Sequence, residues 1–505
     1  MSNSKLDIAF WNYDRGALLR DGTVKIGGVD ATFHSGRIVL DIFEAMIRRR
    51  AYDVSELGMT YFLRTFRGAE SPFLAIPVFL VRSFRHNAIY INKASGITRP
   101  QDLAGKRIGE LGVYGHDAGV MPKGILSDEY GVRAEQCRWI VGSIDFPMNP
   151  VDFVEQPVPP GVQVEWADKG VDLGEMLEKG EIDALISADI PRCVLEKSPK
   201  VGRLFEDYEA VERDYFRRTG IFPIMHAVVV KHELALERPD VVHAVYEGFR
   251  AAKDKMAEQY LRGMAFNNMA VMIPWLTKRI GELGVYGHDA WVMPKGILSD
   301  EYGVKPEQCR WIVGSIDFPM NPVDFVEQPV PPGVEVEWAD KGVDLGEMLE
   351  KGEIDALISA DIPRCVLAKS PKVGRLFEDY EAVERDYYRR TGIFPIMHAV
   401  VVKRELALER PDVVRAVYEG FREAKDKMAE QYVKGMTFNN MAVMVPWLTK
   451  RIGEDRDLLG DDWWPYGIKA NRPALDAILR YHHEQGITDR RFRVEDVFAP
   501  CLMDT

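Results

Sequence analysis

Residues 107–132 read RIGELGVYGHDAGVMPKGILSDEYGV, and residues 279–304 read RIGELGVYGHDAWVMPKGILSDEYGV. The offset is 279 − 107 = 172, and it holds without a gap from 107–278 to 279–450, with 13 differences. Most of these are mild, such as Arg133/Lys305, Phe216/Tyr388, Leu261/Val433 and Ile273/Val445. The sharper ones are Gly119/Trp291, Glu196/Ala368, His232/Arg404 and His243/Arg415. Lys-Arg-Ile-Gly-Glu recurs at 106–110, 278–282 and 450–454, as a crossover between short matching stretches would leave it. Solenoid repeats run roughly 20 to 50 residues, so a period of 172 marks a duplicated piece of a domain. Removing one copy leaves 505 − 172 = 333 residues, and that unit carries the fold.

Outward from the repeat, short apolar runs alternate with amphipathic ones. LDIAFW predicts a strand ended by the polar turn Asn-Tyr-Asp-Arg, and TVKIGGVDATFH two short strands around Gly-Gly. IVLDIFEAMIRRRAY has helical spacing, DVSELGMTYF opens as a strand, and FLAIPVFLV and NAIYIN are β-rich runs bracketing Arg85-His86. PKGILSDEYGV predicts a helix ended by Gly. LGEMLEKGEIDALISA predicts a helix, a Gly stop and a buried strand, and PDVVHAVYEGFRAAKDKMAEQYL a long amphipathic helix. Strands alternating with helices imply an α/β fold with a mainly parallel sheet covered on both faces.

Composition excludes several classes. Hydrophobic residues at 46% and charged residues at 28% describe a globular chain, and the net charge of −13 argues against a nucleic-acid partner. The longest apolar run, PFLAIPVFLV, is too short to span a bilayer, so no membrane partner is expected. MSNSKLDIAFWNYDRG has neither an apolar core nor a small-residue cleavage site, and the five cysteines form no C-x-x-C; the expectation is a cytoplasmic protein. No H-E-x-x-H or acid/His cluster at ligand spacing occurs, so no metal is expected, and the glycines around His116 lack the spacing and acidic partner of a dinucleotide fingerprint, so no such cofactor is expected.

WNYDR, DVSELGMTYF, IPVFLVRSFRHNAIYIN, GILSDEYGV, FPIMHAVVVK and WWPYGIKANRPAL fall in an order that resembles the 4,5-dihydroxyphthalate decarboxylase family. The resemblance implies a two-lobe fold like that of type II periplasmic solute-binding proteins, here with a duplicated central segment. It places the first crossing between lobes near 84–92 and the return near 222–231, or at its copy 394–403. The expected division is 1–85 for the first part of lobe one, 86–225 for lobe two, 226–278 for the return, 279–450 for the duplicate, and 451–505 for a tail completing lobe one. Closing a short loop costs less entropy than closing one 172 residues longer, which favours 1–278 as the body.

On that fold Asp14 and Arg15 follow the first strand, and Ser55 and Thr60 follow the second lobe-forming strand; all four are candidates to bind substrate. Local ion pairing or helix capping serves these residue types equally well. Arg82, Arg85 and His86 form a cationic cluster beside the crossing, suited to clamping a dicarboxylate or to a solvated turn. His116, in a Gly-bounded turn, and His226, in the return strand, join His86 as candidate acid and base. The resemblance implies a small aromatic dicarboxylate as substrate and its decarboxylation to protocatechuate and CO2. The alternative is a solute-binding protein that captures an aromatic carboxylate without chemistry, and a homo-oligomer stays open.

Overall fold

The computed structural model describes residues 4–505 apart from Gly68, 146–150, Asp152, Pro157, Lys169, 266–288, 317–329, Lys341, Ala360, Phe438, Asn439, Pro446 and Gly486. The chain separates into two compact units, one of Met1–Glu258 with Tyr432–Thr449, the other of Gln259–Gln431 with Lys450–Thr505.

The first unit holds two sheets. Strands β1 (Ser4–Ala9), β2 (Val29–His34), β3 (Val54–Gly58), β4 (Phe73–Arg82) and β11 (Ile224–Lys231) form one, in the order β2-β1-β3-β11-β4. Strands β5 (Ile89–Asn92), β6 (Arg107–Leu111), β7 (Arg138–Gly142), β8 (Gln163–Trp166), β9 (Ala184–Ile186) and β10 (Val201–Arg203) form the other, in the order β10-β5-β9-β6-β7-β8. Helices α1 (Asp14–Arg20), α2 (Val39–Arg49), α3 (Met59–Leu63), α4 (Asp117–Tyr130), α5 (Leu173–Lys179), α6 (Arg192–Leu195), α7 (Tyr208–Thr219), α8 (His232–Glu237) and α9 (Pro239–Ala265) accompany them. This is the two-lobe α/β architecture. The chain crosses between the sheets at 83–88 and returns at 220–223, so the crossings are short connectors, and β5 and β11 lie within their sheets.

The sheets are parallel where helices connect neighbours, as in β1–β2 and β6–β7. They turn antiparallel where a connector brings the chain back: β11 runs antiparallel to β3 and β4, and β5 to β9 and β10. TVKIGGVDATFH supplies only β2; residues before Val29 form a turn in which Gly28 takes φ +69°, a value that suits glycine. Apolar residues fill both faces of the first sheet, with Ile8, Phe10, Val228 and Phe249 in one layer and Phe43, Leu57, Tyr61 and Val229 in another. α4 ends at Gly131 in the left-handed conformation, and Asp172 caps α5 through the Glu175 N–H.

The second unit has a two-stranded parallel sheet, β12 (Arg310–Val313) with β13 (Glu335–Trp338). Ile396–Lys403 repeats the sequence of β11 but forms no strand. Val228 and Val229 are 1% and 0% exposed, whereas their copies Val400 and Val401 are 67% and 87% exposed. β11 is held between β3 and β4, and the repeat carries no second version of either strand. The tail groups with this unit: Tyr481 donates to Asp300 at 2.6 Å and Gln485 to the Val292 carbonyl at 2.6 Å. A Cβ at Gly296 would meet the Tyr481 ring at 2.3 Å, while its counterpart Gly124 faces nothing within 4 Å.

Candidate active site

β3 is buried at all five residues, and Glu56 at its centre is 0% exposed. An isolated carboxylate there would cost several kcal/mol, so it must be bonded. It accepts from the Trp11 N–H at 3.0 Å and the Tyr13 hydroxyl at 2.7 Å, and His226 Nδ1 lies 2.6 Å from Oε1. An ionised carboxylate can only accept, which assigns the shared proton to His226 Nδ1. His226 stands opposite Gly58 in β3, its ring edge on Phe43 with centroids 5.2 Å apart. Among the described residues its Nε2 has no hydrogen-bond partner. Burial and the neighbouring Glu56 push the Tyr13 hydroxyl well above its usual pKa.

His116 caps α4: its Nδ1 accepts the Ala118 N–H at 3.2 Å, which puts the ring proton on Nε2. Burial lowers its pKa to about 4, with Asp117 opposing and His226 and Arg85 adding to the shift. Asp117 accepts the Thr60 backbone N–H at 2.6 Å on Oδ1 and has no partner on Oδ2, so the adjacent His116 and Asp117 form no dyad. Arg85 is 2% exposed, and its Nε and Nη1 are without hydrogen-bond partners; Nη2 meets only the Met441 sulfur at 4.0 Å. Burial lowers its pKa to about 10, and the foremost opposing charge is Asp117, followed by Glu212, Tyr90 and Asp189. The hydroxyl of buried Tyr61 is also unpartnered, and its ring lies 5.9 Å from His116, edge to face. A buried polar atom without a partner is uncommon, and several around one spot mark a place built for something else to bond.

The structure thus brings His116, His226 and Arg85 together and adds Glu56, Asp117 and Tyr61. Thr60 joins them through its backbone N–H on Asp117, and the remaining sequence candidates make other contacts. Arg15 engages every guanidinium nitrogen: Nε on the Leu80 carbonyl, Nη2 on the Met441 carbonyl at 2.9 Å, Nη1 on Asp14 at 3.3 Å. Asp14 accepts the Met444 N–H at 2.6 Å, so this pair fastens residues 441–444. Ser55 is buried and donates to the Glu56 carbonyl at 3.1 Å. Arg82 is exposed, bonds the Phe222 carbonyl at 2.8 Å and stacks on that ring. Arg15 and Arg82 line a cavity of about 430 Å³ with Phe84, Phe222, Met441 and Trp447. His86 sits between Phe205 and Tyr215, 5.2 Å from each ring centroid, and burial lowers its pKa to about 4.

Glu56, Arg85 and the Thr60 amide precede the repeat and occur once. His398, the copy of His226, lies in the strandless segment, and His288, the copy of His116, lies outside the described residues. Gly119 has its own reason: a Cβ there would meet Glu110 Oε1 at 1.9 Å, and Glu110 is buried on Lys123 at 2.6 Å. The second copy has Trp291 at the corresponding position.

The chain is 37% identical over 254 residues to the 4,5-dihydroxyphthalate decarboxylase of Comamonas testosteroni, a match covering 50% of this chain and 76% of the relative. It is 36% identical over 218 residues to the 4,5-dihydroxyphthalate decarboxylase of Pseudomonas putida, covering 43% and 83%. The chain belongs to the 4,5-dihydroxyphthalate decarboxylase family. No family model matches it. Among solved structures, the alkanesulfonate-binding protein SsuA of Xanthomonas axonopodis pv. citri bound to MOPS is 14% identical, with a TM-score of 0.32 over 52% of this chain and 77% of that one. The periplasmic aliphatic sulphonate binding protein SsuA of Escherichia coli is 12% identical, with a TM-score of 0.33 over the same shares. In this member of the decarboxylase family no described helix is long and apolar enough to cross a membrane. Among its described residues no three His, Cys, Asp or Glu side chains are grouped to hold a metal ion.

Proposed function

We propose that this chain removes CO2 from 4,5-dihydroxyphthalate to give protocatechuate, in the cytoplasm and without a cofactor. The observation that carries this reading is the buried Glu56–His226 pair together with an Arg85 whose Nε and Nη1 are unpartnered, His226 and Arg85 both acting electrostatically on His116. Membership of the decarboxylase family supports it.

The leaving carboxylate of such a substrate is para to a ring hydroxyl, so the ring itself serves as the electron sink. The reaction needs a proton at the carbon losing CO2, a fixed cation for a carboxylate, and a site poor in water. Arg85 holds the retained carboxylate. His226, its Nδ1 proton engaged by Glu56, delivers a proton to the ring from Nε2 as the doubly protonated imidazolium, and regains that proton from solvent after turnover. His116, kept neutral by burial, offers Nε2–H as a donor to the substrate. Arg15 and Asp14 act further back, holding the 441–444 segment whose Met441 touches Arg85.

Incubation with 4,5-dihydroxyphthalate should release CO2 and protocatechuate, and His226→Gln should slow release by about 100-fold or more while binding persists. Saturable binding by the intact chain with no product at any pH would overturn the reading in favour of capture without chemistry.

A further inference from the structure

We infer that Asp117 is the residue that recognises the ring hydroxyl para to the leaving carboxylate and takes its proton, a specificity-determining role resting on the decarboxylase reading above. Asp117 is 4% exposed, its Oδ1 is committed to the Thr60 N–H, and its Oδ2 has no partner. A buried carboxylate oxygen left unbonded forfeits a charge-assisted hydrogen bond, which a donor on a ligand restores. Arg85, on which Asp117 is the foremost opposing charge, also has unpartnered donors, yet the two are not bonded to each other. A ligand satisfying both must carry an acceptor anion for the arginine and a donor for the aspartate. A carboxylated phenol has both on one rigid ring; phthalate without hydroxyls has only the first. Gly58 makes room for this placement, since a Cβ there would meet Asp117 Oδ2 at 2.0 Å.

The atoms balance. The phenol O–H breaks and its proton passes to Asp117 Oδ2, while the oxygen's electron pair flows into the ring. The ring carbon takes a proton from Nε2 of the doubly protonated His226, which is re-protonated from solvent after turnover. The bond to the carboxylate then breaks, CO2 leaves, and its electron pair restores the aromatic ring. The oxygen recovers its proton from Asp117, so one carboxylate and one proton become one C–H and one CO2.

The test measures affinities of the intact chain for phthalate, 4-hydroxyphthalate and 4,5-dihydroxyphthalate, alongside Asp117→Asn. Asparagine keeps the Oδ1 acceptor for Thr60 and removes the charge. The wild type should bind the hydroxylated ligands at least about tenfold more tightly than phthalate, as one charge-assisted bond of about 1.5 kcal/mol or more implies. Asp117→Asn should erase that preference, leave phthalate affinity within about twofold, and lower kcat. Equal affinity of the wild type for all three ligands, which needs no variant, overturns the assignment. So does an equal loss for all three in Asp117→Asn. Turnover without hydroxyl preference sinks this inference alone, whereas hydroxyl preference without CO2 release supports Asp117 and sinks the decarboxylase reading.

Discussion

His226 Nδ1 lies 2.6 Å from Glu56 Oε1, the same oxygen that accepts the Tyr13 hydroxyl at 2.7 Å. One carboxylate oxygen thereby ties the return strand β11 to β3 and to the turn after β1. The pairing orients the imidazole and leaves Nε2 without a hydrogen-bond partner among the described residues, the edge that the proposed reaction uses.

Glu56→Gln should therefore lower kcat by about 100-fold or more, the scale of general acid–base catalysis, with little change in KM. His226→Gln should cost a similar factor, and the double variant no more than the worse single one, because the two act as a unit. Additive losses in the cycle would separate the pair.

Arg85→Met should weaken binding of 4,5-dihydroxyphthalate by about 10- to 100-fold, the worth of a charge-assisted contact, without lowering Tm. The guanidinium is fully buried with Nε and Nη1 unbonded, so an apolar side chain of similar length removes a desolvated charge. Unchanged affinity with a lowered Tm would make Arg85 structural.

Local signals in the sequence translated well where local physics decides. Gly131 after SDEY and Gly180 after LGEMLEK, read as helix stops, both end their helices in the left-handed conformation. Side-chain direction did not translate. Arg82, Arg85 and His86 read as one cationic cluster, but β4 ends at Arg82 and a 3-10 turn begins at His86, and the three enter different surroundings. Glu56 was legible in principle, as an acid inside the apolar run around Val54 and Leu57. Its donors, from β11 and the turn after β1, belong to tertiary structure.

Acidification should destabilise the first unit through His86, and His86→Leu should flatten that slope. Burial holds the folded His86 pKa at about 4 against 6.5 for a free imidazole. Between those values the unfolded chain binds the proton and the folded one does not, so stability is full above about 6.5 and falls as pH drops towards 4. Glu212, raised to about 7 by burial, works in the opposite sense, so the comparison is the difference between wild type and variant. Melting curves at pH 4.5 and 7 measure it; equal pH slopes in both proteins would show that His86 is not held neutral.

Deleting residues 279–450 should leave a 333-residue chain that folds and keeps its activity, while the full chain is cut first within 394–410. In the full chain the first unit takes its last segment, 432–449, from the second copy: Met444 and Ala442 bond Asp14, and Trp447 donates to Glu212 at 2.8 Å. Residues 264–277 differ from 436–449 only at Ala265/Thr437 and Ile273/Val445. After the deletion they offer Asp14 and Glu212 the same backbone groups and the same indole. The second copy's own liability is the octapeptide Ile396–Lys403, which is a buried strand in the first copy and an exposed irregular segment here. Exposed apolar backbone with no ladder opens at little cost and is the preferred site of cleavage. Limited proteolysis with mass spectrometry, run beside size-exclusion chromatography of both chains, tests this. Resistance throughout 394–410, with aggregation of the shortened chain, would mean that 264–277 cannot replace 436–449 and that the second copy is integral to the fold.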